Sequence, residues 1–138
     1  MKKVIIILSL LIGFIYAENG RPVMVIENGD DSHGLICEEA LMIRGISKHG
    51  DGFVAIRSGP SSKYSIKKKV VRNGKEVVGC EHVGNWIGII YTDTDMGLGS
   101  YQKKCGLVSD YSLKRHPYKG PCKTGWVYKK YVEPGFAN

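Results

Sequence analysis

Apolar and polar residues alternate along several short segments of this chain, and these segments end at turns rich in glycine, proline or asparagine. The clearest segment is 52–61, GFVAIRSGPS, in which successive side chains of residues 53–58 are expected on opposite sides of a half-buried strand. Gly59 permits a positive φ and Pro60 removes an amide donor, so the strand is predicted to end there. The chain is therefore expected to consist of short strands joined by tight turns.

The same reasoning predicts further strands along the rest of the chain. They lie at 22–27, 41–46, 75–81 and 86–91, with two more short strands joined by a helical turn within 124–132. After residue 20, no amphipathic pattern of helical period reaches three turns. The sequence thus predicts an all-β fold, a small barrel of about five to seven short antiparallel strands.

Two stretches interrupt this pattern. Residues 61–69 carry Lys63, Lys67, Lys68 and Lys69, and are predicted to be a connection whose lysines form a solvated face rather than a binding site. Residues 92–123 form a segment too long for an ordinary connection, so it is expected to be functional or ordered by cross-links.

The first 17 residues have the features of an export signal. Lys2 and Lys3 precede an apolar run at 4–16, and Ala17 is a small residue suited to cleavage. The run is shorter than the roughly 20 residues that span a bilayer, although an uncleaved anchor is the alternative. The first cysteine is Cys37, so a lipid anchor directly after the run is not expected. The predicted location is the periplasm or the cell exterior.

The net charge of the chain excludes few classes of binding partner. It has 20 basic and 13 acidic residues; without Lys2 and Lys3, 20 − 2 = 18 basic residues remain against 13, a net charge of +5. This excess suits an anionic envelope or an acidic partner, and is also ordinary for an exported protein. Nucleic acid is not expected as a partner, because an exported protein seldom meets it and no recognised motif is present. A membrane is expected only through an uncleaved signal segment.

Four cysteines in an exported chain indicate two disulfides. Three pairings are possible; we favour Cys105–Cys122, which closes a short local loop, with Cys37–Cys80, which ties the N-terminal segment to a central strand. A zinc site is the competing interpretation, but no Cys-x-x-Cys or Cys-x-x-His pair exists. No cofactor or metal is therefore expected.

Several of these segments together resemble the bacterial SH3-like (SH3b) domain. The family carries a strand and turn of the Asn-Val-Arg-Ser-Gly-Pro-Ser type, here VAIRSGPS at 54–61, and closes with Gly-Trp-Val and a tyrosine, here Gly125-Trp126-Val127 and Tyr131. Its two middle strands, Gly-x-x-Val-x-Val and Trp-x-x-Val, correspond to GKEVV at 74–78 and WIGI at 86–89. The cysteine-containing insertion is similar to that of an exported subgroup.

This resemblance implies a small barrel of strongly bent antiparallel strands that binds cell-wall peptides or proteins. It divides the chain into a signal peptide at 1–17, an N-terminal extension at 18–39, an SH3b-like domain at 40–134 with the insertion at 92–123, and a tail at 135–138. Such modules often sit beside cell-wall hydrolases, but no catalytic domain accompanies this one. A fold alone does not define a function.

Aromatic residues and one arginine are the candidate ligand-binding groups. The set comprises Arg57, Tyr64, Tyr91, Trp126, Tyr128 and Tyr131, with Trp86 as a further aromatic candidate. Aromatic rings offer a large contact area with a polar tip, which suits peptide grooves. Alternatively, Trp86 and Trp126 fill the core. Arg57 either binds a ligand carboxylate or holds carbonyl groups in its turn. The ligand is expected between the turn at 58–64, the start of the insertion and the step at 128–131.

Catalysis has little support in the sequence. A Cys–His nucleophile would need a free thiol, and His33, His49, His82 and His116 show no metal-ligand spacing. The segment 93–97 faintly resembles a calcium loop but lacks its distal glutamate. The sequence therefore predicts a non-catalytic exported module that recognises peptidoglycan or a cell-wall peptide. The alternative is an interaction or assembly module for an envelope or secreted protein; a hydrolase is a third class.

Overall fold

A computed structural model of the chain describes residues 20–25, 37–107 and 115–136. The strands within these ranges are β1 (Met24–Val25), β2 (Glu39–Ile43), β3 (Val54–Arg57), β4 (Ile66–Val70), β5 (Glu76–Val83), β6 (Trp86–Tyr91), β7 (His116–Pro117), β8 (Lys123–Tyr128) and β9 (Val132–Pro134). A single helix among them, α1, covers Leu98–Lys104, and a 3-10 turn covers Lys129–Tyr131. The predicted small all-β fold is confirmed. The predicted signal peptide at 1–17 lies outside the described residues.

Seven of the strands form one antiparallel sheet in the order β4-β3-β8-β6-β5-β2-β9, and β1 pairs with β7 in a second sheet of two strands. The bounds predicted for β6 are the observed ones, and the two strands joined by a helical turn near the C-terminus are β8, the 3-10 turn and β9. One prediction was wrong. The lysine-rich stretch at 61–69 is not merely a connection, because its last four residues, which include Lys67, Lys68 and Lys69, belong to the edge strand β4.

Residues from both ends of the large sheet share one hydrophobic cluster, which we call the inner core. Its buried members are Leu41, Ile43, Val54, Ile56, Val70, Val77, Ile87, Ile89, Tyr91 and Val127. Since β2 lies near one end of the strand order and β4 at the other, the sheet must curve around this cluster. The inner core is thus the interior of a strongly curved sheet.

The central strands β5, β6 and β8 are also buried on their opposite face. Their alternate residues, Val78, Cys80, Ile90 and Trp126, belong to a second cluster that we call the outer core. Val23 and Val25 of the N-terminal segment and Tyr101 of α1 cover it. This double burial explains why these strands read as nearly continuous apolar runs rather than strict alternations.

Both disulfides lie in this outer layer. Cys37 pairs with Cys80 and Cys105 pairs with Cys122, so the favoured pairing is confirmed and no cysteine is free. Oxidised cysteines are compatible with a periplasmic or extracellular location. In the part of the chain that the structure describes, no helix is long and apolar enough to cross a membrane.

A buried carboxylate fastens the N-terminal segment to the sheet. Glu81 is 7% exposed, and its carboxylate accepts a hydrogen bond from the backbone N–H of Met24 at 2.9 Å. The same carboxylate forms an ion pair with Arg21 at 3.0 Å. Arg115 of the insertion contacts the same carboxylate. Glu81 therefore ties the N-terminal segment and the insertion to β5.

Candidate functional site

A surface groove of about 490 Å³ runs along the outer side of β3. Phe53, Ala55 and Arg57 form one wall, and the turn residues Pro60, Ser61 and Ser62 continue it. Trp86, Tyr128 and Tyr131 form the facing wall, and Asp51 lies before the start of β3. The groove thus combines an aromatic wall with a few charged side chains, which is the usual make-up of a binding site.

The aromatic wall is a row of three rings. Trp86 and Tyr128 are direct cross-strand partners on β6 and β8, so their side chains lie on the same face of the sheet. Their ring centres are 5.4 Å apart in an edge-to-face arrangement. The 3-10 turn then brings Tyr131 back beside Tyr128, with ring centres 6.1 Å apart. All three side chains are half-buried, so each keeps part of its surface exposed.

The opposite wall follows from strand alternation. Val54 and Ile56 point into the inner core, so Phe53, Ala55 and Arg57 face outward along β3. The Lys69 ammonium lies 4.7 Å from the centre of the Phe53 ring. Across the groove, the Lys130 ammonium lies 6.0 Å from the centre of the Tyr131 ring. The rim is therefore mainly cationic, with Asp51 as the acidic lining residue.

Arg57 holds the turn and lines the groove at the same time. Its Nη1 donates a hydrogen bond to the carbonyl oxygen of Tyr64 at 2.9 Å, which supports the structural role expected for it. The Tyr64 ring does not line the groove but packs over Gly59 instead. A Cβ at Gly59 would lie 2.4 Å from Tyr64 Cδ1, so the turn requires glycine at that position. Tyr64 thus shapes the groove indirectly.

Two of the predicted ligand-binding residues lie in the cores. Tyr91 is 3% exposed and belongs to the inner core, where burial and the neighbouring Asp93 carboxylate raise the pKa of its hydroxyl. Trp126 has no exposed surface and belongs to the outer core. Its indole N–H donates to the carbonyl oxygen of Arg21 at 2.9 Å. In this structure neither side chain offers surface to the groove.

The neighbouring residues Trp126 and Val127 of β8 are both buried, each in a different core. Trp126 points into the outer core and Val127 into the inner core, so strand alternation is kept without a bend. The predicted turn at 58–64 contributes Pro60, Ser61 and Ser62 to the groove, whereas Phe53 and Asp51 were not among the predicted residues. The signal for Phe53 was present, since it shares the outward face of its strand with Arg57.

The start of the insertion is held against β5 by hydrogen bonds and does not line the groove. The Glu76 carboxylate accepts hydrogen bonds from the backbone N–H groups of Met96 and Gly97 at 2.9 and 3.0 Å. In return, Asp95 accepts one from the backbone N–H of Glu76 at 3.1 Å. These reciprocal bonds place the beginning of α1 against β5.

The two aspartates of this loop, Asp93 and Asp95, form ion pairs with basic side chains. Burial alone would raise the pKa of Asp95, but hydrogen bonds from Arg72 and from the backbone of Glu76 outweigh it and hold that pKa below its usual value. Asp93 pairs with Lys123 at 2.9 Å, which lowers its pKa. Among the residues that the structure describes, no group of three His, Cys, Asp or Glu side chains could hold a metal ion.

No family model, curated protein or solved structure matches the chain. The resemblance to SH3-like domains therefore stays a prediction that rests on sequence motifs. The all-β architecture and the aromatic groove stand on the structure itself.

Proposed function

We propose that the protein is a non-catalytic, exported SH3-like binding module, and that its groove takes an extended cell-wall peptide. The observation that carries this proposal is the row of rings formed by Trp86, Tyr128 and Tyr131. Three adjacent, partly exposed rings present a large and rigid apolar surface, which binds a chain at a low cost in side-chain entropy. A groove of this kind suits a flexible peptide better than a compact folded surface.

The dimensions and charges of the groove support a short peptide. The wall formed by β3 has four residues, Val54–Arg57, which corresponds to about 13 Å of extended strand and to roughly four peptide residues. Cationic groups of Arg57, Lys69 and Lys130 surround the groove and would attract a carboxylate. Asp51 would attract an amine. Cell-wall stem peptides carry both kinds of group.

Export is supported by the cysteine chemistry. All four cysteines are paired in disulfides, and disulfides persist in oxidising compartments. With no free thiol, a cysteine nucleophile is also missing. These features agree with a binding module that acts in the periplasm or outside the cell, where peptidoglycan is the abundant polymer.

Binding to purified peptidoglycan sacculi tests the proposal, and Tyr128 is the best residue to vary. It lines the groove but packs in neither core, whereas Trp86 contacts the outer core and Tyr131 the inner core. Tyr128→Ala should weaken binding by about 1 kcal/mol or more if the ring is a hot spot. Tyr128→Phe keeps the ring and should bind nearly as well as the unchanged protein. Absence of pull-down at low salt would refute the cell-wall ligand.

The second candidate is a module that binds an envelope or secreted protein through the same groove. A protruding segment of a folded protein could occupy the rings as well as a free peptide. Cross-linking in cells separates the two, because one abundant protein adduct favours this alternative and glycan or peptide adducts favour the first. Release of soluble muropeptides from sacculi would instead indicate a hydrolase.

A further inference from the structure

The positive charge of this protein is concentrated in one part of the chain. Residues 52–75 contain seven basic residues and no acidic one; they are Arg57, Lys63, Lys67, Lys68, Lys69, Arg72 and Lys75. The remainder has 20 − 7 = 13 basic and 13 acidic residues. The whole formal net charge of +7 is thus located in β3, β4 and their connections.

The structure separates these cations into occupied and available ones. Arg72 pairs with Asp95, and the buried Lys75 donates to the carbonyl oxygen of Thr92 at 2.7 Å. Lys67 donates to the carbonyl oxygen of Thr124, but it is exposed and a carbonyl does not neutralise its charge. Lys63, Lys68 and Lys69 are exposed and form no ion pair with any carboxylate of the described residues. A strip of unneutralised charge therefore follows β4.

Apolar side chains flank this strip. In the part of the chain that the structure describes, the large hydrophobic residues classed as exposed are Ile66, at 38%, and Val71, at 73%. They occupy the first position of β4 and the position directly after its end. β4 is also the outermost strand of the large sheet, and four of its five residues are exposed. Charge and exposed apolar surface thus coincide at one edge of the large sheet.

We propose that this edge, Ile66 to Val71 with Lys63, is a peripheral membrane-binding surface for a bilayer containing anionic phospholipid. Lysines next to a lipid surface are attracted by its negative potential, and neighbouring apolar side chains enter the boundary between headgroups and acyl chains. Lysines alone would be enough to keep an exposed edge strand from pairing with another chain, so this protective role does not explain the exposed apolar residues. A soluble polyanion or acidic protein would likewise use the ammonium groups and leave Val71 in water. The paired apolar residues favour a lipid surface.

This surface adjoins the groove without forming part of it. β4 is the neighbour of β3 in the sheet, and Lys69, opposite Ala55 in the register, reaches the Phe53 ring at the groove's rim. Docking of the β4 edge would hold the groove close to the membrane, facing along it. The sequence suggested a membrane contact only through an uncleaved signal segment, so this contact is additional to that expectation.

Co-sedimentation with lipid vesicles tests the proposal. The protein, produced with its export signal and purified in oxidised form, is mixed with vesicles of phosphatidylcholine and phosphatidylglycerol, or of phosphatidylcholine alone. We expect binding to the anionic vesicles that weakens with salt. The variant with Lys63→Gln, Lys67→Gln and Lys68→Gln should lose about 100-fold in partition, since each lysine near the surface contributes roughly five-fold. Lys69 is kept because it contacts the groove.

A matched control removes the same charge elsewhere, at the exposed residues Lys48, Lys103 and Lys119. With glutamine at these three positions the protein should bind within about three-fold of the unchanged one, because long-range attraction alone is screened. Val71→Ser should weaken binding by at least about three-fold through lost apolar transfer. The substituted side chains are solvent-exposed, and melting curves verify that each variant is folded.

Three results would overturn the proposal. Equal losses in the two triple variants would mean that net charge, not the β4 edge, drives the binding. Equal binding to neutral vesicles would point to the apolar segment at 4–16 left in place, which N-terminal sequencing would detect. Unchanged binding of Val71→Ser, together with full competition by soluble polyglutamate, would make the strip a site for acidic polymers rather than for a bilayer.

Discussion

Replacing Trp126 by alanine should open the outer layer of the molecule before the curved sheet itself. Trp126 has no exposed surface and shares the outer core with residues of the N-terminal segment, the insertion and the central strands. Removing a buried tryptophan costs about 3–5 kcal/mol in lost packing. The carbonyl oxygen of Arg21 also loses its indole donor, at 2.9 Å, which adds roughly 1 kcal/mol. The sum is a large part of the 5–15 kcal/mol typical of a domain.

Hydrogen exchange at individual amides distinguishes the two layers. The amide of Tyr118, bonded to the carbonyl oxygen of Val23, and the amide of Met24, bonded to Glu81, report on the outer layer. The amide of Ile43, bonded to the carbonyl oxygen of Lys75, and the amide of Gly74, bonded to the carbonyl oxygen of Ile43, report on the curved sheet. In Trp126→Ala, the first pair should lose protection by more than the second.

Val127→Ala is the matched control, since it is the next residue and lies in the inner core. It should lower the protection of the sheet amides and of the outer layer together, because the outer layer has no support once the sheet opens. If Trp126→Ala reduces the protection of all four amides equally, the two cores unfold as one unit. A loss below about 1 kcal/mol in global stability and in outer-layer protection would refute the burial argument altogether.

Three further predictions concern other contacts. Reduction of both disulfides should raise exchange at Leu107 and Tyr118 more than at Ile43, because the bridges lie in the outer layer; equal increases would mean that they hold the sheet itself. The pKa of Asp95 is lower in the folded protein than its unfolded value of about 3.9. The ionised carboxylate therefore contributes to the free energy of unfolding above that pH, and this contribution is lost as pH falls through the folded pKa. The melting temperature of Asp95→Asn should therefore approach that of the unchanged protein on acidification, and a constant difference would contradict this. Gly125→Ala should destabilise the sheet by roughly 1–3 kcal/mol, since its Cβ would lie 2.3 Å from Ile56 Cγ2, whereas Gly50→Ala, with no atom nearer than 3.8 Å, should be nearly neutral in urea unfolding.

The sequence was sufficient for the strands whose pattern depends on local rules. β6 was predicted at its observed bounds because it is a compact apolar run between Asn85 and a polar loop. The 3-10 turn after Tyr128 followed from two lysines between aromatic residues. Both cysteine pairs were the favoured choice among three possible pairings, and the structure confirms them.

What could not be predicted depends on tertiary contacts. Three lysines in a row favour solvent over a strand, and β4 exists because β3 supplies hydrogen bonds along its one paired edge. Local pattern likewise could not reveal a second core, so Trp126 remained ambiguous until the N-terminal segment was placed on it. Tyr128 and Tyr131 were predicted as ligand-binding residues and line the groove. Tyr91 and Trp126 were predicted on the same aromatic grounds, but they are buried. The aromatic character of a residue alone therefore does not show whether it lines the groove or is buried in a core.

The hydrogen bond between Trp126 and Arg21 joins residues 105 positions apart. A chain synthesised from its N-terminus contains the segment around Arg21 long before its partner strand β8 has been made. Contacts of such long separation make folding slow. Until residue 126 has been added, the apolar run of β6 lacks its neighbour β8 in the sheet and can pair with other chains. Any chain that stops short of β8 is therefore expected to remain open to aggregation or proteolysis.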